Sequence, residues 1–268
     1  MLIDFHTHIF PEKIAARSLE VLKAGILRRE GINAEAYTDG TIDGIKKSMF
    51  DTGVSLSITL PIATKPSQTA SINAFAKSAC EGGIISFATL HPSNEDTDNI
   101  IKNIADAGFK GIKLHPEFQQ AYIDSHEVIK IFKKAEELGL YTVIHSGADI
   151  GLDPPVHCTP KRLKNALEYV SGKYIIAAHM GAFRMWDDVE KYLVGTEIYF
   201  DTAFLNGYIE PSQYKRIIKN HSAHKILFGS DLPWENPLDT LNGLKALNLD
   251  ETEFEQITHL NAKRILGI

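Results

Sequence analysis

Two histidines lie two residues apart near the start of the chain, directly after a short apolar run. The run contains Leu2, Ile3 and Phe5, and it leads to His6 and His8. On a β-strand, side chains two residues apart project to the same face, so both imidazoles point the same way. Paired imidazoles at the end of a buried strand suit a zinc-type ion. Two unrelated polar residues at a strand end are the alternative, and the rest of the sequence must decide.

Metal-ligating side chains close several other apolar runs as well. The four runs are Gly111-Ile-Lys-Leu-His-Pro116, Tyr141-Thr-Val-Ile-His145, Ile175-Ile-Ala-Ala-His-Met180 and Ile226-Leu-Phe-Gly-Ser-Asp231. Alternation along the first of them gives Lys113 and His115 the face opposite Ile112 and Leu114. Several separate strands that each end in an imidazole or a carboxylate are hard to explain as structure alone. The sequence therefore predicts a metal site.

The runs recur at the spacing of repeated strand–helix units. Short β-branched runs alternate with amphipathic stretches of helical period, which is typical of a parallel sheet flanked by helices. The predicted strands are 2–6, 54–60, 84–90, 109–115, 140–145, 174–179, 197–202 and 225–230, and the clearest helices are 67–79, 96–107, 125–138, 159–170 and 251–266. Eight such units predict one domain, a (β/α)8 TIM barrel over residues 1–268. Active sites of these barrels lie at the carboxyl ends of the strands, where the candidate ligands fall.

Residues 11–51 form the exception, because they are too many for one simple connection between two barrel strands. One helix is predicted near Ile14–Leu27 and a second near Thr41–Phe50, joined by the polar segment Glu30–Gly40. An insertion after the first strand emerges at the rim that carries the active site. We therefore expect a helical insertion that forms either part of a lid or a peripheral packing element.

Composition and charge favour a small-molecule substrate over other partners. The 268 residues carry a formal net charge of -6 and no dense run of Lys and Arg, which argues against nucleic acid. No apolar stretch approaches the roughly 20 residues that span a bilayer, and no charged-then-apolar leader is apparent, so no membrane partner is expected. Cys80 and Cys158 form no CxxC pair, which favours a reducing, cytoplasmic location. A homo-oligomer is compatible with the sequence, which does not determine the oligomeric state.

The motifs, taken in order, resemble those of the amidohydrolase superfamily. They are Asp4-Phe-His-Thr-His8, Gly111-Ile-Lys-Leu-His-Pro116, Val143-Ile-His145, Ala178-His-Met-Gly181, Tyr199-Phe-Asp-Thr202, Leu227-Phe-Gly-Ser-Asp-Leu-Pro233 and Asn261-Ala-Lys-Arg-Ile-Leu266. The set is most similar to the amidohydrolase-related branch, which includes aminocarboxymuconate-semialdehyde decarboxylase and γ-resorcylate decarboxylase. The resemblance extends from the first predicted strand to the last predicted helix.

The resemblance implies a role for each matching position. A divalent metal would be held by His6, His8, His145 and Asp231. Asp231 would also transfer protons, and His179 would either activate the metal-bound water or ligate a second ion. Lys113 would either carry CO2 as a carbamate that bridges two metals, as in dihydroorotases, or be an amine paired with a nearby carboxylate. Mixed nitrogen and oxygen ligation makes zinc the first choice, with manganese or iron as alternatives, and one or two ions.

Three functions follow from this site. The first is a metal-dependent hydrolase that acts on an amide, lactone or ester of a small carboxylated molecule. The second is a non-oxidative, metal-dependent decarboxylase of an aromatic or dienoic acid. The third, a metal-binding barrel without turnover, is disfavoured because the set of site residues has no gap.

Three residues are candidates for contact with the substrate. His115 shares the inward face with Lys113, and Arg184 and Trp186 follow the sixth predicted strand. Arginine binds carboxylates through paired hydrogen bonds, and a tryptophan could contact a ring. Other polar residues have different predicted roles. Asp201 would orient a neighbouring imidazole, and His157 could line the mouth of the barrel. His91 and Gln119 are lower-ranked candidates for the site, and the histidines predicted to lie at the surface are His126, His221, His224 and His259.

Overall fold

The computed structural model describes all 268 residues, Met1–Ile268, and consists of parallel strands that alternate with helices. The strands are β1 Ile3–Thr7, β2 Leu56–Thr59, β3 Ile84–Ser86, β4 Ala88–Thr89, β5 Gly111–Leu114, β6 Tyr141–Ile144, β7 Ile175–Ala177, β8 Tyr199–Asp201 and β9 Ile226–Leu227. They form two parallel sheets, β1-β2-β3 and β4-β5-β6-β7-β8-β9. The third predicted strand is thus interrupted at Phe87, whose backbone N–H still donates to the carbonyl of Thr59.

Backbone hydrogen bonds also connect the first strand with the last. Phe5 N donates to Phe228 O over 2.8 Å, and Asp231 N donates to His6 O over 2.8 Å. Together with the continuity through Phe87, these bonds link the strands in the order of a closed barrel. The predicted α/β barrel is confirmed, with strands shorter than the sequence indicated.

Helices occupy the connections between the strands, and each of the seven predicted helices has a counterpart among them. The helices are α1 Glu12–Glu30, α2 Ile42–Thr52, α3 Thr69–Ser78, α4 Thr97–Asp106, α5 Pro116–Gln119, α6 His126–Glu137, α7 Pro160–Ala166, α8 Trp186–Tyr192, α9 Pro211–His221, α10 Pro237–Ala246, α11 Glu251–Glu255 and α12 Asn261–Leu266. Ser125 and Thr159 accept backbone N–H groups of the first turns of α6 and α7, as expected of N-caps. None of the helices is long and apolar enough to cross a membrane.

The last predicted helix, 251–266, is divided by a π-helical turn at Gln256–Leu260. Within that turn the carbonyl of Ile257 accepts the backbone N–H of Phe228. A wider turn frees a carbonyl from the helical ladder, and here the freed group bonds to the chain just beyond β9. The helix interruption thus attaches the end of the chain to the barrel.

The insertion after β1 contains the two predicted helices, α1 and α2. The carboxyl end of α1 reaches the loops that follow β6 and β7. Arg29 Nη1 donates to the Asp149 carbonyl over 2.6 Å, and Glu30 accepts Arg184 Nη1 at 2.9 Å. The end of α1 therefore lies at the rim formed by the carboxyl ends of the strands.

Apolar side chains pack in two layers. An inner cluster includes Phe5, Phe87 and Val143, and an outer cluster joins strand residues such as Ile112 and Leu114 to the helices. The alternation predicted along the Gly-Ile-Lys-Leu strand therefore holds, with its apolar pair packed outward on helices. Lys113, on the opposite face, is fully buried.

Candidate metal centre

His6, His8 and Asp231 form one group of potential ligands. His8 Nε2 lies 3.1 Å from Asp231 Oδ1, and His6 Nε2 lies 3.4 Å from the same oxygen. His6 lies in β1, His8 directly follows that strand, and the aspartate comes from the loop after β9. Because the backbone of Asp231 bonds to that of His6, residues at opposite ends of the sequence meet here.

The hydrogen bonds of the His6 and His8 imidazoles show which nitrogen of each ring carries the proton. In both rings the nitrogen that faces Asp231 is the one without it. His6 Nδ1 is 2.8 Å from Asp201 Oδ2, and His8 Nδ1 is 2.9 Å from the Leu60 carbonyl. Each of these acceptors requires the N–H at Nδ1, which assigns a lone pair to Nε2 of each neutral ring. Two nitrogen lone pairs and a carboxylate oxygen then face one another. A cation between them would satisfy all three, so this group fits a divalent metal.

His145 and His179 form a second group of potential nitrogen ligands. His145 Nδ1 lies 3.0 Å from His179 Nε2. The Nδ1 of His179 is 3.0 Å from the carbonyl oxygen of Ala203, and its backbone N–H donates to Asp201. Asp201 therefore contacts both His179 and His6, which agrees with the interpretation that it orients a neighbouring imidazole.

Lys113 points at the first group from inside the barrel. Its Nζ lies 3.1 Å from His6 Nε2, which is its hydrogen-bond partner. Burial lowers the pKa of this amine to about 8, although Asp201 and Asp231 partly oppose the shift. No carboxylate lies within ion-pair distance, so the pairing that was the alternative to a carbamate is not seen.

Burial and neighbouring groups set the charges of the site. Burial lowers the pKa of His6 and of His145 well below the ordinary value, which keeps both rings neutral as ligation requires. Burial alone would raise the pKa of Asp231, but the His6 and His8 imidazoles outweigh it and lower this pKa to about 2. The site thus offers neutral nitrogens beside an ionised carboxylate.

Two of the candidate metal ligands adopt a left-handed backbone conformation. His179 has φ 60° and Asp231 has φ 68°, in a region that costs energy for residues other than glycine. The Asp201 carboxylate binds the backbone N–H of His179, and the His6 carbonyl binds that of Asp231. These bonds hold the two side chains in conformations that the isolated chain would avoid.

The three predicted substrate contacts have different surroundings. His115 stacks on His145, one of the candidate metal ligands, with ring centroids 4.1 Å apart. The Arg184 guanidinium lies over the ring of Phe183 and is paired with Glu30 of α1. Trp186 is buried, and its indole N–H donates to the His179 carbonyl, so its polar contact is with the protein. Roles of these residues in substrate binding remain predictions.

Several buried or half-buried polar residues near the site have surroundings that the sequence did not indicate. Asp149, in the loop after β6, lies 3.4 Å from His115 Nε2. Glu117 lies 2.5 Å from His157 Nδ1, which places His157 in a buried pair. Burial raises the pKa of Glu235 to about 7. The only hint of Asp149 in the sequence is its position four residues after His145.

One surface assignment is wrong. His221 is 3% exposed, stacks on Phe200 with centroids 3.9 Å apart, and lies 2.9 Å from the Ile198 carbonyl through Nε2. Its Nδ1 accepts the backbone N–H of Gly195. A ring at the end of α9 is therefore turned inward by two backbone contacts that depend on neighbouring loops.

The amidohydrolase family model matches residues 3–268, nearly the entire chain. The chain therefore belongs to the amidohydrolase family and is an enzyme of that family. Among curated proteins no relative matches it.

Solved structures with the same fold include both decarboxylases and a hydrolase. A 2,6-dihydroxybenzoate decarboxylase complexed with 2,6-dihydroxybenzoate superposes with a TM-score of 0.68 at 16% identity, covering 100% of this chain and 99% of that one. A 5-carboxyvanillate decarboxylase from Novosphingobium aromaticivorans with bound manganese gives 0.73 at 15%, covering 100% and 97%. A probable 2-pyrone-4,6-dicarboxylic acid hydrolase from Acinetobacter baumannii gives 0.67 at 15%, covering 100% and 99%. At these identities the likeness establishes the fold.

Proposed function

We propose that this protein is a metal-dependent hydrolase that acts on an amide, lactone or ester of a small carboxylated molecule with two divalent ions, zinc first. The observation that supports this best is the position of Lys113, buried beside His6 and without a close carboxylate. A buried amine with a lowered pKa is suited to react with CO2, because the neutral form is the nucleophile.

The residues divide into two sets of ligands with a bridge. One ion would be held by His6, His8 and Asp231. His145 and His179, 3.0 Å apart, would hold the other, and the Lys113 carbamate would offer one oxygen to each. Such ions lower the pKa of bound water from 15.7 to about 7 in favourable sites and polarise a substrate carbonyl.

The remaining chemistry belongs to side chains of the chain itself. Asp231, ionised at neutral pH, would accept the proton of the attacking water and return it to the leaving group. Arg184 would release Glu30 and bind the substrate carboxylate in its place. His115 would contact the substrate next to His145.

Metal counting with and without the lysine tests this proposal. We expect about two equivalents of metal per chain and, in protein equilibrated with 13C-bicarbonate, a carbamate resonance in the 13C spectrum. Lys113→Ala should lose that resonance and the second equivalent while keeping the first. One equivalent in the wild type, or two in Lys113→Ala, would contradict the two-ion assignment.

Decarboxylation of an aromatic or dienoic acid is the second candidate, supported by the decarboxylases among the similar structures. The two reactions differ in their products. A panel of small carboxylic acids, lactones and amides should be assayed in parallel for CO2 release and for ring opening or acyl cleavage. CO2 release without hydrolysis on any member would favour the decarboxylase.

A further inference from the structure

His145 has one ring nitrogen that the metal site does not use. Its Nε2 is buried, has no hydrogen-bond partner and lies 4.0 Å from Asp149 Oδ2. The Nε2 of His115 lies 3.4 Å from the same oxygen. Buried polar atoms are nearly always hydrogen-bonded, so an unpartnered ring nitrogen beside a carboxylate requires a reason.

The position of the proton on the His145 ring explains why Nε2 has no partner. His179 donates from Nδ1 to the Ala203 carbonyl, so its Nε2 is an acceptor. The hydrogen bond from His145 to that atom then requires the proton of the neutral His145 ring to be on Nδ1, which leaves Nε2 bare. An ion bound between the two rings would need His145 Nδ1 as a ligand. The ring proton would then have to be on Nε2.

The Asp149 carboxylate is the acceptor nearest to Nε2, and a movement of about 1 Å would bring it within hydrogen-bond distance. Its Oδ1 accepts the backbone N–H of Gly151 over 2.7 Å, which directs Oδ2 towards the two imidazoles. Arg29 of α1 donates to its backbone carbonyl and so holds the loop from the other side. These two contacts keep the carboxylate on the side of the two imidazoles, with Oδ2 free to approach His145.

A separate cation site formed by His115, His145 and Asp149 is less compatible with the hydrogen bonds of these residues. His115 Nδ1 accepts the backbone N–H of Phe118 at 3.4 Å. The neutral ring must then carry its proton on Nε2, the atom that faces Asp149, and a protonated nitrogen does not ligate metal. His115 thus donates to Asp149, and the same oxygen is close to His145.

We propose that Asp149 is a positioning residue that accepts the Nε2 proton of His145 and thereby allows Nδ1 to bind the second ion. This inference rests on the proposed two-ion function. Carboxylates that bind the outer nitrogen of a ligating histidine set its tautomer and orientation, and their removal weakens metal binding by about 10- to 100-fold. Asp149 itself would touch neither the ion nor the substrate.

The Asp149→Asn variant separates this role from a role in the loop. An asparagine Oδ1 can still accept the Gly151 N–H, but the other amide group is a donor and cannot accept from an imidazole. Titration of metal-free protein with zinc should show the second ion bound about 10- to 100-fold more weakly and the first unchanged. Asp149→Glu keeps a carboxylate and should bind the second ion more tightly than Asp149→Asn does. Asp153→Asn, in the same loop at an exposed pair with Arg28, is the matched control and should bind both ions as the wild type does.

Nitrogen NMR of the histidine rings gives a readout independent of activity. In metal-free wild type, His145 should carry its proton on Nδ1, and in protein loaded with two zinc ions it should carry it on Nε2. Wild-type affinity for the second ion in Asp149→Asn, or no change of tautomer on loading, would overturn the inference while leaving the two-ion function intact. A wild type that binds only one ion would overturn both.

Discussion

At the scale of single residues, Asp201 illustrates how one buried carboxylate organises several parts of the site. One of its oxygens lies 2.8 Å from His6 Nδ1, and the other accepts the backbone N–H groups of His179 and Ala203. It therefore fixes the tautomer of one ligand and the backbone of another. Replacing a carboxylate with this many buried partners would leave several donors unsatisfied, each at a cost of about 1–3 kcal/mol.

The buried ring of His221 should make stability depend on pH. Burial lowers its pKa from 6.5 to about 4, so between these values the unfolded chain binds more protons than the folded chain. The free energy of unfolding must then fall as pH decreases through that range, by at most about 3 kcal/mol from this residue. Urea denaturation of the metal-free protein, with and without His221→Gln, should show a smaller fall in the variant.

The same substitution at an exposed histidine provides the control. His126 begins α6 at the surface, and His126→Gln should leave the pH dependence as it is in the wild type. If the free energy of unfolding changes with pH equally in His221→Gln and in the wild type, the buried ring is not the source of the acid sensitivity.

At the scale of elements, two loops determine how the second pair of ligands meets. The loops after β6 and β7 form a parallel bridge between Gly147 and Phe183. Phe183 N donates to the Ser146 carbonyl, and Ala148 N donates to the Phe183 carbonyl. His145 and His179 lie at the beginning of these loops, just beyond the ends of β6 and β7, so the pairing of the loops sets the distance between the two rings.

Gly147 should be the least replaceable residue of this loop pair. Its φ is +86°, and an added Cβ would lie 2.2 Å from the Phe183 backbone nitrogen. Gly31, at the end of α1, has a similar φ of +70° but open space around it. Alanine at either position should lose about 1–2 kcal/mol to the left-handed backbone, and Gly147→Ala should lose about 1–3 kcal/mol more to overpacking. Urea unfolding of both variants measures the difference, and equal losses would contradict the close approach.

At the scale of the whole molecule, closure of the barrel brings together the first group of candidate ligands. His6 in β1 and His8 just after it approach Asp231 because the last strand and the loop after it bond to the first strand. A metal that binds this group would join the two ends of the chain in the folded state only. Binding should therefore stabilise the entire fold.

Metal removal should lower the melting temperature of the whole protein. An ion present at about 100 times its Kd adds about 2.7 kcal/mol, which for a chain of this size corresponds to roughly 5–10 °C. Differential scanning calorimetry with zinc and with a chelator measures the shift. Asp231→Asn should remove most of it, whereas Asp106→Asn, at an exposed pair with Lys102, should keep it. A full shift in Asp231→Asn would place the ion elsewhere.

The sequence by itself determined the barrel and the strand ends that carry the ligands. Strand alternation is a local property, so the inward face of Lys113 could be predicted from Ile112 and Leu114 alone. The identities of the imidazoles and carboxylates at the strand ends likewise required no knowledge of distances.

Only the tertiary structure decided which side chains face one another. The 3.0 Å approach of His145 to His179, the place of Asp149 beside His145, and the burial of His221 depend on strand register and on the paths of loops. Contacts between residues far apart in sequence are set by the packing of the whole chain. No local periodicity in the sequence indicates such contacts. For the same reason the pairing of Arg184 with Glu30 became visible only in the folded molecule.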